Sequence, residues 1–251
     1  MFRSTEQIET MAYIFSKTER IDGVMIENQS EIKVQRKPYK LYLKEIYPNT
    51  GVEVLYPHPA DETKALINPN GFPWMNLKLD PNGELMRKDQ HHTILEGGYD
   101  YVVSIMEYYF YKYRENLDEL IVNEGSQMVD GRMCNVVSIT NADFGYHKYI
   151  VKKGESLSSI ALKNRLNEYM IAQNNDGLGL LKGISEGQEL LLSSDYCQRM
   201  ILYIDQDRQI PLKMEVYDDK GIFERYEFLG VKINPDFTTA EFTMSHDAYN
   251  F

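Results

Sequence analysis

His91 and His92 stand side by side, a pair that invites a metal-binding reading. Successive side chains of an extended strand point to opposite faces, so on a strand this pair makes a poor chelate. No spaced set of cysteine, histidine and carboxylate completes a site elsewhere, and no metal is expected. Asp205 with Asp207, and Asp218 with Asp219, are residue types that could do paired acid–base work. Each pair falls between two runs of alternating apolar residues, where aspartate serves a turn by bonding nearby backbone, so solvated turns are expected. Gly177-Leu178-Gly179 lacks the strand–loop–helix setting of a phosphate loop, and Gly97-Gly98 marks the start of a helix. Neither Cys134 nor Cys197 has a histidine near it in sequence to activate the thiol. No catalytic residue and no cofactor is expected.

The tyrosines offer more. From Tyr99 to Tyr113 the spacing predicts the main helix, with Val102, Ile105, Met106, Tyr109 and Tyr113 in one apolar stripe. Tyr101, Tyr108 and Tyr111 add a second aromatic face. Core packing is the plainer reading of such a helix. The functional one is that Tyr101, Ile105, Tyr108, Tyr109 and Tyr111 line an apolar cavity bearing a few hydroxyls, the usual chemistry of a lipid or small-ligand site.

The elements that must position these residues are mostly strands. Thr5 to Lys17 carries Ile8, Met11, Ala12 and Phe15 at helical spacing and predicts an amphipathic helix. Alternating runs then follow at Val24–Ile26, Glu31–Val34, Leu41–Leu43, Val52–Tyr56, Lys64–Ile67 and Leu77–Leu79. Pro48-Asn49-Thr50-Gly51 and Asp80-Pro81-Asn82-Gly83 are turn signals. Strands return at Leu120–Val122, Arg132–Thr140, Met200–Ile204, Leu212–Tyr217 and Ile222–Ile233. Between them lies Tyr149 to Leu192, with its own compact β-α-α-β order. Ser156 is placed to cap its first helix and Asn167 its second.

With 251 residues the chain can bury a substantial core. Its net charge of −11 argues against a nonspecific binder of nucleic acid or anionic membrane. No apolar run approaches the roughly 20 residues that span a bilayer. The N-terminus carries no signal peptide, which fits either a cytoplasmic protein or one whose leader is already absent. If the strands flanking the insertion pair, with its ends near Asp143 and Ser193, Cys134 falls opposite about Leu202. That leaves it several residues out of register with Cys197, beyond disulfide reach, so two reduced, buried thiols are expected.

Two resemblances rest on specific residues. Tyr149, Val151, Gly154, Glu155, Ser156, Leu157, Ile160, Ala161, Asn174-Asn175, Gly187, Gln188 and Leu190 stand where a LysM domain has its motif. Arg165-Leu166 replaces the usual Gly-Val between the helices, and Asp176 to Lys182 lengthens the second groove loop. The resemblance implies a glycan groove for N-acetylglucosamine polymers. Its residues would be Gly154, Glu155, Ser156 and Leu157 from one loop, and Asn174, Asp176, Gly177, Leu178, Gly179 and Leu180 from the other. Leu157, Leu178 or Leu180 would stack on the sugar. Outside the module, Leu202–Asp205, Ile210–Gly221 and Glu224–Phe228 resemble the C-terminal half of LolA-like proteins. Thr18-Glu19-Arg20, Gly51–Tyr56 and Leu85-Met86-Arg87 with His92 look like an uncharacterised envelope branch of that class.

The fold expected is α+β and mainly β. A LolA-like antiparallel half-barrel, residues 1–145 plus 195–251, wraps around helices and carries an inserted βααβ LysM-like module at 148–193. The function these resemblances imply is a non-enzymatic binding protein of the cell envelope, in or near the periplasm. Its partners would be peptidoglycan or a chitin-like oligosaccharide, with a lipid or lipoprotein in the half-barrel and no nucleic acid. The alternatives are a cell-wall glycan or lipid hydrolase and a structural adaptor without a small ligand.

Overall fold

A computed structural model describes residues 1–180 and 183–251. The chain opens with helix α1 (Phe2–Glu6) and strands β1 (Thr10–Ile21), β2 (Val24–Gln35), β3 (Lys40–Tyr47), β4 (Glu53–Tyr56), β5 (Ala65–Asn68) and β6 (Leu77–Leu79). Helices α2 (Glu84–Arg87), α3 (Asp100–Lys112) and α4 (Leu117–Leu120) follow, then strands β7 (Ile121–Val129) and β8 (Arg132–Thr140). The inserted segment contributes β9 (Tyr146–Ile150), α5 (Leu157–Asn164), α6 (Glu168–Gln173) and β10 (Glu189–Ser193). The chain then returns through β11 (Arg199–Asp205), β12 (Pro211–Asp218) and β13 (Gly221–Ile233).

Eleven strands form one antiparallel sheet in the order β6-β5-β4-β3-β2-β1-β13-β12-β11-β8-β7, while β9 and β10 pair separately. The expected mainly-β, antiparallel architecture wrapped around a helix is what the chain adopts. Helix α3 lies against the sheet and shares its core through Val102, Val103, Ile105, Met106 and Tyr109. The C-terminal tail covers other sheet residues: Tyr249 stacks on Tyr42 with ring centroids 3.7 Å apart, beside Leu55, Leu66 and Phe242.

The expected helix from Thr5 to Lys17 is corrected to a strand. Ile8, Met11, Ala12 and Phe15 satisfy a helical period, but Met11, Tyr13 and Phe15 also alternate. The second pattern prevails because β1 lies between β2 and β13 and gains a ladder on both edges. Leu85-Met86-Arg87 belongs to the short helix α2.

Antiparallel pairing gathers several connections at one end of the sheet. The β1–β2, β3–β4 and β12–β13 turns lie there, with the β5–β6 loop. So does the β8–β11 connection that contains the insertion, because Thr140 pairs with Arg199. The insertion therefore leaves and rejoins the sheet at neighbouring strand ends.

The insertion has a core of its own. Val151, Leu157, Ile160, Ala161, Leu166, Ile171, Leu190 and Leu192 pack together. Ser156 accepts from the Ser159 amide at 3.1 Å, and Asn167 accepts from those of Tyr169 and Met170, so both anticipated caps form. Arg165, where the LysM pattern has glycine, ends α5 in the left-handed region at φ 54°. Asn175 ties α6 to β10: its amide donates to Ile171 O and Leu191 O, and its carbonyl accepts from the Leu191 amide. Asn175→Ala should cost about 1–3 kcal/mol, since it strands backbone groups on both elements. Thermal unfolding of the purified chain checks this, and a shift within error would make these bonds incidental.

Both cysteines are free and buried. The register differs from expectation: Cys134 faces Asp205, and Leu202 faces Val137.

Candidate functional site

Between the curved sheet and α3 lies a cavity of about 550 Å³. Most of its wall is apolar: Tyr13 and Phe15 from β1, Leu41 and Leu43 from β3, Val54 from β4, Phe228 from β13. Period-2 alternation puts Lys17 and Glu19 on the same face of β1 as Tyr13 and Phe15, so the wall turns from apolar to charged along one strand. The cavity reaches the crowded end of the sheet, where Pro48 and Asn49 line it.

At its charged end Glu19 and Glu224 are buried, at 2% and 0% exposure. Strand pairing sets them opposite each other on β1 and β13. His91 Nδ1 lies 2.9 Å and His92 Nε2 3.3 Å from Glu224 Oε2, and Tyr196 donates to Oε1 at 2.6 Å. The Tyr226 hydroxyl sits 2.6 Å from Glu19 and 3.0 Å from Glu224; with one hydrogen to give, it donates to the nearer. Lys17 Nζ meets Glu19 at 3.1 Å, and His92 Nδ1 meets Glu96 at 2.8 Å. His91 is held flat between Tyr169 and Phe223, its ring centroid 4.6 and 4.1 Å from theirs.

These contacts fix the charges. Burial lowers the His92 imidazole, but Glu224 and Glu96 more than offset this and raise its pKa to about 10. Burial pushes both carboxyls up, yet the facing cations reverse the sign. Glu19, beside Lys17 and the histidines, and Glu224, beside His92 and His91, lie below the usual carboxylate range. Burial raises the Tyr196 and Tyr226 hydroxyls far above their ordinary value, so both stay protonated donors. The His92 imidazolium and the two carboxylates thus hold one another in their charged forms.

The structure corrects several expectations about individual residues. His91 and His92 lie in a bend, not on a strand, and both reach one carboxylate. No group of metal-binding side chains is present among the described residues. Asp205 and Asp218 do end strands at turns, but they are not solvated. Asp205 is clamped by Arg132 and Arg208 and Asp218 by Arg20, and each is at most 2% exposed. Of the five proposed cavity residues, Tyr101 lines the large cavity, with its ring centroid 4.9 Å from that of His92. Ile105, with Tyr101, borders a smaller cavity of about 60 Å³ beside α5, while Tyr109 is buried in the core and donates to Cys197 O at 2.8 Å. Tyr108 is half-buried beside Lys112, and Tyr111 is 71% exposed.

In the inserted segment Gly154, Ser156, Asp176, Gly177 and Gly179 are exposed. Leu157 is buried in the segment's core and cannot stack on a sugar; Leu178 and Leu180 are half-buried against that core. Leu181 and Lys182 of the lengthened loop lie outside the described residues. Glu155 accepts from the Tyr149 hydroxyl at 2.7 Å and the Lys152 amide at 2.9 Å, closing its loop. Asn174 accepts from Lys220 of the β12–β13 turn at 3.0 Å.

The insertion is docked on the sheet beside the charged cluster. Tyr169 accepts from the Asp22 amide at 2.7 Å, and Arg87 pairs with Glu168 at 3.1 Å. Glu19, Glu224, Lys17, Tyr196 and Tyr226 were not anticipated as site residues. The available signal was a charged residue in phase with inward apolar ones, as in Tyr13-x-Phe15-x-Lys17-x-Glu19 and Glu224-x-Tyr226-x-Phe228.

Fold and site together define an open antiparallel sheet, curled over a helix and a cavity, with a LysM domain inserted between neighbouring strands; the LysM match covers residues 149–193. Residues 8–152 match the family described as protein of unknown function (DUF1571), and the chain belongs to that family. No curated protein matches it. Similar solved structures include lipoprotein LppX of Mycobacterium tuberculosis, at 10% identity and TM-score 0.43, covering 93% of this chain and 91% of that one. A DUF1329 family protein from Desulfovibrio piger is 10% identical, with TM-score 0.38 and coverage of 97% and 94%. A LolA superfamily protein from Nitrosomonas europaea is 10% identical, with TM-score 0.34 and coverage of 96% and 94%.

Proposed function

We propose that the chain is a non-enzymatic binding protein of the cell envelope. Residues 1–145 and 195–251 would form the half-barrel that takes an amphiphile, a lipid or the acyl end of a lipoprotein. Residues 148–193 would form a module that holds peptidoglycan or a related N-acetylglucosamine polymer. The observation that carries this reading is the cavity of about 550 Å³, apolar along most of its wall and charged at one end. That lining suits a molecule with a tail and a polar head. The charged forms of His92, Glu19 and Glu224, each held by its neighbours, support binding over hydrolysis, which needs an acid and a base able to exchange protons. Among the described residues no helix is long and apolar enough to cross a membrane.

Fluorescent fatty-acid titration of the full chain tests the cavity. Leu43→Arg, which sets a charge into the apolar wall, should weaken uptake by roughly tenfold or more, about 1.4 kcal/mol. In parallel, chito-oligosaccharide should move amide resonances in Gly154–Leu157 and Asn174–Leu180 while sparing the sheet. Absence of uptake by the unaltered chain would overturn the carrier reading, and unmoved loop resonances would overturn the glycan reading. Turnover of a glycan or lipid that disappears with Glu19→Gln or Glu224→Gln in a folded chain would replace both with a hydrolase.

A further inference from the structure

We propose that the β5–β6 loop is a membrane-docking tip that seats the protein on the surface of a neutral or zwitterionic lipid bilayer. Residues 68–76 read Asn-Pro-Asn-Gly-Phe-Pro-Trp-Met-Asn, nine positions without a charge in a chain that is 26% charged. Phe72 is 85% exposed, Trp74 82% and Met75 63%. Single exposed apolar side chains are ordinary, but three large ones within four residues at a loop tip form a contiguous patch.

The loop's polar groups are spent on holding its shape. Asn68 Oδ1 accepts from the Asn70 amide at 2.9 Å, and Asn68 Nδ2 donates to Asn250 O at 2.8 Å. Asn70 Nδ2 donates to Thr50 O at 3.0 Å, tying the loop to the β3–β4 turn, and the Trp74 amide closes on Gly71 O at 2.6 Å. Asn68 and Asn70 thus bond to the protein while the aromatic and thioether groups face out, the reverse of the usual partition at a water surface. This preorganisation means that little ordering entropy remains to be lost on docking.

The kind of partner follows from composition, size and place. Tryptophan favours the headgroup level of a bilayer, and phenylalanine and methionine supply apolar depth. No lysine or arginine lies in the loop, and the chain's charge of −11 gives no attraction to an anionic surface. Three side chains on a protruding tip fall short of the roughly 800 Å² per partner of a stable protein interface, whereas a fluid bilayer can close around them. The loop stands at the end of the sheet that the cavity reaches. Its flanking strands supply Ile67 and Leu79 to the cavity wall, and the turn it bonds to supplies Pro48 and Asn49. Docking there would set the mouth against the lipid from which an amphiphile is taken or to which it is delivered. The docking itself is independent of what the cavity holds.

Trp74 is the chain's one tryptophan, so fluorescence excited beyond the tyrosine absorption band reports on the loop alone. Phosphatidylcholine vesicles added to the full chain should shift the emission to shorter wavelength, and brominated acyl chains should quench it. Phe72→Ser, at a site too exposed to disturb folding, should lower vesicle partitioning roughly tenfold. Leu43→Arg should leave the shift intact, so a failed cavity reading and a failed docking reading are told apart. Emission that stays at the position of a hydrated indole up to saturating lipid would overturn the proposal. So would a shift that appears without lipid and grows with protein concentration, which assigns the loop to a second copy of the chain.

Discussion

Glu224→Ala is expected to lower stability by about 3–5 kcal/mol, because it leaves the buried cations and donors around the carboxylate without their partner. Against the roughly 5–15 kcal/mol typical of a folded domain, this is a large share. The loss should carry a pH signature whose sign follows from the charges. His92 is raised from its ordinary 6.5 to about 10, so its contribution is full below 6.5 and is lost as pH rises through about 10. Glu224 is lowered from 4.5, so its contribution is full above 4.5 and is lost as pH falls through its folded value. Between 4.5 and 6.5 both act together, and stability should decline from there toward alkaline pH. In the variant His92 keeps Glu96 alone, and the alkaline decline should shrink. Urea unfolding across this range measures both effects. A loss under about 1 kcal/mol with an unchanged alkaline slope would mean that the cluster contributes little.

Ile105→Ala should cost about 2–5 kcal/mol, since Ile105 is 1% exposed within the core shared by α3 and the sheet. Tyr111→Ala, six residues further along the same helix, should change stability by under about 0.5 kcal/mol, because that ring is 71% exposed. The two measured side by side test which face of α3 the sheet covers. Equal costs would place the helix differently from the packing described.

The parts that were legible in sequence are those made by near neighbours. The inserted segment builds its caps, its two helices and its small core within about 45 residues, so its motif is contiguous. Helix α3 was legible because Val102, Ile105, Met106 and Tyr109 repeat at its period and bury together. The start of the chain was not, because Met11 and Phe15 fit two periods and only distant partners, β2 and β13, decide between them. The charged cluster was hidden for the same reason. Lys17 and Glu19 come from β1, His91 and His92 from a bend, Tyr196 from the stretch before β11, and Glu224 and Tyr226 from β13. The longest local group is His91, His92 and Glu96, and the carboxylates they face come from β1 and β13. The aspartates misread as solvated turn residues needed Arg20, Arg132 and Arg208 to be seen beside them.

The pairing of β1 with β13 also sets an order on how the chain can fold. Met11 faces Ile233 and Glu19 faces Glu224, so the middle of the sheet is a seam between the two ends of the sequence. A growing or translocating chain can complete the insertion's local contacts while β13 is still to come. The cavity wall at the seam, and the anchorage of Glu224, must wait for the last strand to arrive. Until then β1 keeps one edge open to other chains, the state in which long strands are prone to mispair. A truncation that removes β13 would therefore leave the insertion folded on an unclosed sheet, with the greasy half of the cavity turned toward any chaperone or neighbour within reach.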